Sequence, residues 1–268
     1  MHVLFRFAFV VLLALGAIPA FADATAFLSD QKGELKLDGG PRPVMLAELL
    51  PGSRLELSAG ATAAVMFIVS GDEYQLKGPG EFVVGRESVT ASRGTAPVRR
   101  QPALKPDGGT VIRVSRAASA SLRLRSSAAP PAAALHPQGR IADPSPPFRF
   151  AGGEAKAELS LVVAGGAERF RGELKPGTRL PVRLEAGKSY AWTARRDGRE
   201  IAQGHFELLP AADIETVERA RRAARTFGDR VRWALLLESL GAAADAREAW
   251  ASLAAERPDL PELALLAR

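Results

Sequence analysis

The sequence predicts a mainly β protein of several domains with an α-helical segment at its C-terminus. Short segments of alternating apolar and polar residues, separated by Gly, Pro and Asp turns, recur from residue 24 to residue 209. After Pro210 the apolar residues recur at helical spacing. The length of 268 residues suits two or three small domains. The absence of Cys excludes disulfides, thiol nucleophiles and Cys-based zinc sites.

Residues 1–22 have the layout of a secretory signal peptide. Arg6 precedes an apolar run over residues 7–18, and Pro19 is followed by the small-x-small triplet Ala20, Phe21 and Ala22. The run is shorter than the roughly 20 residues that span a bilayer, so an uncleaved anchor is the less favoured alternative. We expect cleavage after Ala22 and a periplasmic mature chain, to be checked by N-terminal sequencing.

Residues 23–95 are predicted to form a compact antiparallel β domain. Residues 34–37 and 54–57 alternate, and residues 63–69 form a continuous apolar run that indicates a strand buried on both faces. Turns at residues 70–72 and 78–80 separate two further strands, 73–76 and 81–84.

The order of strands and turns in this domain resembles the FecR-like β domain of bacterial envelope proteins. The motifs are K-G-E-L-K-L, L-L-P-G-S-R-L, A-G-A-T-A-A-V-M-F-I and G-D-E-Y-Q-L-K-G-P-G-E-F-V-V. The matching positions are turn glycines and apolar residues: Leu49, Gly52, Leu55, Gly60, Ala64, Phe67, Gly71, Leu76 and Phe82. The resemblance implies a periplasmic sensory or scaffolding part of a signalling system, with a membrane-bound sensor as a partner.

Residues 96–142 are predicted to be a basic linker rich in Pro, Ala and Arg, with a closing hairpin over residues 110–125 as an option. Eight basic residues and one acid give this stretch a net charge of +7, whereas the whole chain carries +6. The stretch has no aromatic residue, which argues against a nucleic-acid interface. Self-repulsion would keep it extended and solvated; an anionic envelope surface is the alternative partner.

Residues 143–209 are predicted to be a second β module. Strong alternation over 189–194, an Asp-Gly turn at Asp197 and Gly198, and alternation over 178–184 support it. The pattern Pro-x-Phe-x-Phe … Leu-x-Ala-Gly-x-x-Tyr-x-Trp resembles the immunoglobulin or fibronectin type III-like β-sandwich. Tyr190 and Trp192 share one face, which favours a core position over a ligand-stacking platform.

Residues 210–268 are predicted to be helical. We expect helices over 214–227, 230–240 and 245–256, a break at Gly228 or Asp229, and a short capping helix from 262 to 267. This segment resembles part of a tetratricopeptide (TPR) repeat, through Ala234, Gly241, Ala246, Trp250 and Pro258. A single repeat forms no groove, so a three-helix cap is expected; docking of a partner is the alternative.

The sequence provides no catalytic, cofactor or metal site, and the chain is predicted not to be an enzyme. His136 lies in the predicted linker, His205 lies in an alternating strand, and no nucleophile elbow or Walker motif is present. The acidic turns at 38–40 and 70–73 lack the spacing of a calcium loop. Arg219, Arg221, Arg222 and Arg225 have nearby glutamates, which favours a solvated helix face with internal ion pairs.

Three functional hypotheses follow. The first is an exported, non-enzymatic envelope adaptor, scaffold or sensory module that acts by protein–protein recognition. The second is a peptidoglycan- or glycan-binding periplasmic protein that uses the basic linker and exposed aromatics. The third, a hydrolase with paired carboxylates, is least favoured because no spacing singles out a pair. The sequence identifies no interaction residue.

Overall fold

The structure is a computed structural model that describes residues 24–102, 135–150 and 155–268. The described part is mainly β, with three sheets followed by a short helical segment at its C-terminal end. The predicted signal peptide and its cleavage site, and the optional hairpin over 110–125, lie outside the described residues.

The first two sheets are formed by residues 26–100. Sheet A has the order β3-β1-β5-β6-β9, with strands Glu48–Leu49, Ala26–Lys32, Thr62–Phe67, Glu73–Lys77 and Val98–Arg100. Sheet B has the order β2-β4-β7-β8, with strands Leu35–Leu37, Arg54–Leu57, Gly80–Val84 and Val89–Arg93. Every strand pair in both sheets is antiparallel, as the sequence predicts for this region.

The facing sides of sheets A and B enclose a core of their own. Leu28, Val65, Leu55 and Phe82 are members of this cluster. The side chains of β5 are buried from Ala63 to Phe67, so the prediction of a strand buried on both faces is confirmed for those residues. The prediction is wrong at Val69, which is 78% exposed because the chain turns after β5.

Sheet C contains the remaining strands in the order β10-β14-β13-β11-β12. Their bounds are Gly139–Ile141, Arg199–Leu208, Ser189–Arg196, Ala157–Val163 and Glu168–Leu174. β10 pairs parallel to β14, and the other pairs are antiparallel.

Extended segments, rather than a second regular sheet, cover the buried face of sheet C. The N–H of Phe148 donates to Thr178 O (3.1 Å), and that of Leu180 donates to Pro146 O (3.1 Å). Leu180 and Leu184 are buried, as their alternation indicates, but the strand expected over 178–184 is reduced to one isolated bridge between Pro147 and Arg179. Few backbone pairs are available there because the neighbouring chain is proline-rich.

Both ends of the predicted linker contain strands. β9 extends sheet A by pairing with β6, and β10 forms an edge of sheet C. Regular strands therefore extend into residues 96–142 from both sides. The short length of these strands, three residues each, explains why alternation does not reveal them.

Four helices follow Pro210: α1 (Ala211–Ala223), α2 (Phe227–Ser239), α3 (Ala243–Glu256) and α4 (Pro261–Leu266). The expected break at Gly228 or Asp229 is wrong, because Thr226 and Asp229 form a capping box that starts α2 at Phe227. The helix expected over 214–227 is observed as α1 over Ala211–Ala223, so it begins and ends earlier than its pattern predicts.

The helical segment lies between sheet A and sheet C. A single apolar cluster joins residues of sheet C, such as Trp192, to α2 and α3 residues such as Leu235 and Trp250. The same cluster includes Phe27 and Met66 on the far face of sheet A. None of the helices in the described residues is long and apolar enough to cross a bilayer.

Candidate interaction surfaces and the helical junctions

Tyr190 and Trp192 lie in the core, as the sequence predicts. The indole Nε1–H of Trp192 donates to Pro137 O (2.9 Å), and the ring packs edge-on against Phe148 at 5.3 Å. Tyr190 stacks on Phe206, and its hydroxyl bonds the backbone of Glu185, five residues upstream. Neither ring is available to stack on a ligand.

The other aromatic side chains of the described residues are also buried or half-buried. Phe170, Phe227 and Trp233 are only partly buried, and the large apolar side chains that are exposed are all aliphatic: Val44, Leu50, Val69 and Val98. The described surface therefore offers no open aromatic platform of the kind that a glycan-binding site uses.

The two described histidines occupy contrasting positions. His205 is exposed on β14, opposite Ala191 of β13. His136 is buried and its backbone N and O both pair with Arg149, so it belongs to the folded part of the chain and not to a solvated linker. No group of three or more His, Asp or Glu within the described ranges is arranged to hold a metal ion.

The described arginines of the predicted linker make internal contacts. Arg99 Nη2 lies 2.7 Å from Asp72 Oδ2, and Arg100 Nη1 lies 3.9 Å from Glu73 Oε1. Arg140 Nη1–H donates to Leu240 O (2.9 Å). At these three positions the positive charge contributes to folding contacts of the chain itself.

Helix α1 has the ion pairs that its sequence predicts. Arg219 pairs with Glu215, and both Arg221 and Arg222 pair with Glu218. The prediction is wrong for Arg225, which lies beyond the end of α1 at Ala223. These pairs are exposed, so the face is solvated and each pair contributes little to stability.

A polar junction joins α2 to the turn between β5 and β6. The Nη2–H of Arg232 donates to Gly71 O (2.6 Å), and Arg232 Nη1 lies 3.5 Å from Asp229 Oδ1. Glu73 is buried against the first turn of α2, and a Cβ placed on Gly228 would lie 1.8 Å from Glu73 Oε2. Burial raises the pKa of Glu73 and lowers that of Arg232. Any side chain at position 228 would therefore force the carboxylate of Glu73 to move.

Arg257 extends this junction along β1. Its guanidinium pairs with Asp30, donates to Gln31 O (2.8 Å) and lies 5.3 Å from the ring centre of Phe227. The acids Asp259 and Asp30 raise its pKa above the usual range, so it stays charged. The α3–α4 connection is thereby fixed to sheet A.

A second junction joins α3 to the chain around β10. The N–H of Ala142 donates to Asp245 Oδ2 (2.6 Å), and Arg149 pairs with Glu248. Burial raises the pKa of Asp245 to about 6, and burial lowers the pKa of His136.

The outer face of sheet B carries an open, charged groove of about 610 Å³. The strand register places Lys36, Glu56, Glu81 and Arg93 in one row across the four strands. Glu81 lies 3.5 Å from Arg54 and 3.9 Å from Arg93. Such a face suits recognition of a polar, charged surface.

Sequence reasoning missed the junction residues Glu73, Arg232, Asp245 and Arg257. One signal was available: Gly228 lies inside a helix, where glycine is unfavourable without a packing reason. The contacts that join these residues to the sheets are distant in the sequence, 161 residues for Arg232 and Gly71, so periodicity could not reveal them.

No protein-family model matches the chain, and no curated protein is significantly similar to it.

Proposed function

We propose that this chain is an exported, non-enzymatic adaptor, scaffold or sensory module of the bacterial envelope that acts by protein–protein recognition. The observation that carries the proposal is the distribution of side chains. The described aromatics lie in the core or half-buried, whereas the open faces of sheets B and C carry charged and small polar groups. Faces of this composition suit a protein partner better than a sugar ring.

The expected domain identities agree with several local features. In a FecR-like first domain the pattern residues Leu49, Leu55 and Phe82 would be core residues, and here they are buried. Gly52 and Gly60 of the same pattern have positive φ (98° and 76°), which explains glycine at those turns. These observations support two packed sheets as one unit, residues 23–95 with β9 added.

A fibronectin type III-like origin for residues 143–209 is supported by Tyr190. Its hydroxyl bonds the backbone of Glu185 at the corner before β13, which is the arrangement called a tyrosine corner in that fold class.

A TPR-like origin for 210–268 is supported by the packing of α2 on α3, where Ala234, Ala246 and Trp250 are buried around the turn at Gly241.

The peptidoglycan- or glycan-binding alternative loses its aromatic basis within the described residues, since Tyr190 and Trp192 are internal. Its remaining basis is positive charge, and part of that charge, at Arg99 and Arg140, is engaged internally. We therefore favour a protein partner, with a membrane-bound sensor as the class that the FecR resemblance implies.

The test is site-specific photocrosslinking in the envelope with the full-length chain. A crosslinking residue is placed in the groove at Lys36, on the outer face of sheet C at Gln203, and on α1 at Glu215 as a matched exposed control. We expect one protein to be captured from Lys36 or Gln203 and not from Glu215, with capture lost after Arg93→Glu or His205→Glu respectively. Capture of cell-wall material alone would support the glycan alternative, and equal capture from all three positions would contradict specific recognition.

The same strain tests export. The mature protein should be released with the periplasmic fraction and should begin at Asp23. A chain that begins at Met1 and stays in the cytoplasm would contradict this proposal.

A further inference from the structure

Three carboxylates converge where α3 contacts the chain around β10: Asp143, Asp245 and Glu248. Two of them have arginine partners, because Asp143 pairs with Arg179 and Glu248 pairs with Arg149. Asp245 instead accepts a hydrogen bond from the backbone N–H of Ala142 (2.6 Å). The charge of Asp245 is therefore the least compensated of the three, in a position where the other two carboxylates repel it.

A buried imidazole lies in the same junction. His136 is 4% exposed, and its backbone pairs with that of Arg149. The charged groups that face it are Glu248 and Asp143, which favour its protonation, and Arg149 and Arg247, which oppose it. The pairing of each acid with an arginine leaves little net negative charge to support an imidazolium.

From this geometry we propose that the α3–β10 junction is a proton-compensated contact. On mild acidification Asp245 takes up a proton in the folded chain while His136 stays neutral. In the unfolded chain the opposite holds, because His136 takes up the proton and Asp245 stays ionised. Unfolding then moves a proton from Asp245 to His136, and the chain takes up little net proton from solution. The stability of the contact therefore changes little as the surroundings acidify.

Asp245 and His136 contribute to the pH dependence of stability with opposite signs. The pKa of Asp245 is raised to about 6 by burial, above its ordinary value of 3.8, so its contribution to stability increases as the pH falls from about 6 towards 4. The pKa of His136 is lowered by burial from 6.5, so its contribution is complete above that value and decreases as the pH falls below it. The pH ranges over which the two contributions change overlap. An exported chain is exposed to the pH of its surroundings, so it would benefit from a junction in which the two contributions offset each other.

The first experiment is denaturant unfolding of the full mature chain between pH 4.5 and pH 7.5. Asp245→Asn keeps an acceptor for Ala142 N–H but cannot titrate, so its unfolding midpoint should fall more steeply on acidification than that of the wild type. The unfolding midpoint of His136→Gln should fall less steeply on acidification, or rise. The double variant should regain the pH dependence of the wild type. Asp197→Asn, in the exposed turn between β13 and β14, is the control and should follow the wild type. Glu73 is unchanged in every variant, so its own titration cancels in the differences.

The second measurement is local and needs no variant of His136. The amide resonance of Ala142 should titrate with a midpoint near pH 6 in the wild type and lose this step in Asp245→Asn. The pKa of the His136 imidazole should lie below its ordinary value of 6.5. An Ala142 midpoint near pH 4, an ordinary His136 titration, or wild-type slopes in both single variants would overturn the proposal.

Discussion

The two β regions differ in how their cores are closed. Sheets A and B face each other and enclose a cluster that contains no helical residue. Sheet C has one buried face, and its core is continuous with that of the helical segment through residues such as Trp192 and Trp250. The first region is closed by its own strands, whereas the second is closed by extended segments together with the helices.

The helical segment therefore has two different contacts. Against sheet A it covers an apolar surface that includes Phe27 and Met66, with polar contacts at the rim made by Arg232 and Arg257. Against sheet C it completes the core itself. The first contact joins a unit that has its own core, and the second is part of one folding unit.

Removal of the helices should therefore affect the two regions unequally. In a chain ended after Pro210, we expect amide protection to persist in β5 and β7 but to be lost across β11, β13 and β14. The exposed Phe27 and Met66 should bind a hydrophobic dye and promote association. Hydrogen exchange with mass spectrometry measures this. Equal loss of protection in all three sheets would show that the first region has no independent core, and retained protection in sheet C would show that the helices do not complete its core.

A pair of core truncations sharpens the same comparison. Trp250→Ala and Phe82→Ala each remove a fully buried aromatic ring and should each reduce the free energy of unfolding by about 3–5 kcal/mol. Trp250→Ala should raise exchange in sheet C and the helices, because Trp250 belongs to the apolar cluster that joins them and its Nε1–H donates to Glu238 Oε1 (2.9 Å). Phe82→Ala should raise exchange in sheets A and B. Identical exchange patterns in the two variants would contradict separate cores.

Much of this organisation could be predicted from the sequence, where local pattern decides it. The antiparallel strands of the first region follow from alternation and turn residues, and the core position of Trp192 follows from its place in a strong strand. The start of α2 is also local, since Thr226 and Asp229 have capping-box spacing, but Gly228 beside them is a competing break signal.

The junctions could not be predicted, for a physical reason. The surroundings of Glu73 and Asp245 depend on which distant surfaces meet, and their partners lie on other elements of the chain. The irregular cover of sheet C has the same origin: Leu180 and Leu184 alternate as in a strand, but a regular ladder needs a partner strand that this proline-rich neighbourhood does not supply.

A glycine substitution tests the contact with sheet A. In an ordinary exposed helix position Gly→Ala stabilises. Gly228→Ala should instead destabilise by about 1–3 kcal/mol, because the new Cβ would force the carboxylate of Glu73 to move and that side chain is buried. Denaturant unfolding measures the change. Glu73→Ala removes the overlapping atom, so Gly228→Ala should be neutral or stabilising in that background. If the glycine substitution has the same effect in both backgrounds, the close approach does not govern this junction.

The smallest expected effect lies on a surface that belongs to neither core. Arg219 is half exposed and pairs with Glu215 at 3.9 Å on the outside of α1. Arg219→Ala should lower the free energy of unfolding by less than about 0.5 kcal/mol, because solvent and salt screen an exposed pair. Arg232→Ala is the matched variant on the inner side of the neighbouring helix. Arg232→Ala should lower the free energy of unfolding several times more than Arg219→Ala does. It removes the guanidinium that faces both Gly71 O and the buried carboxylate of Glu73. Similar losses in the two variants would mean that the polar rim of the sheet A junction contributes no more than an ordinary surface pair.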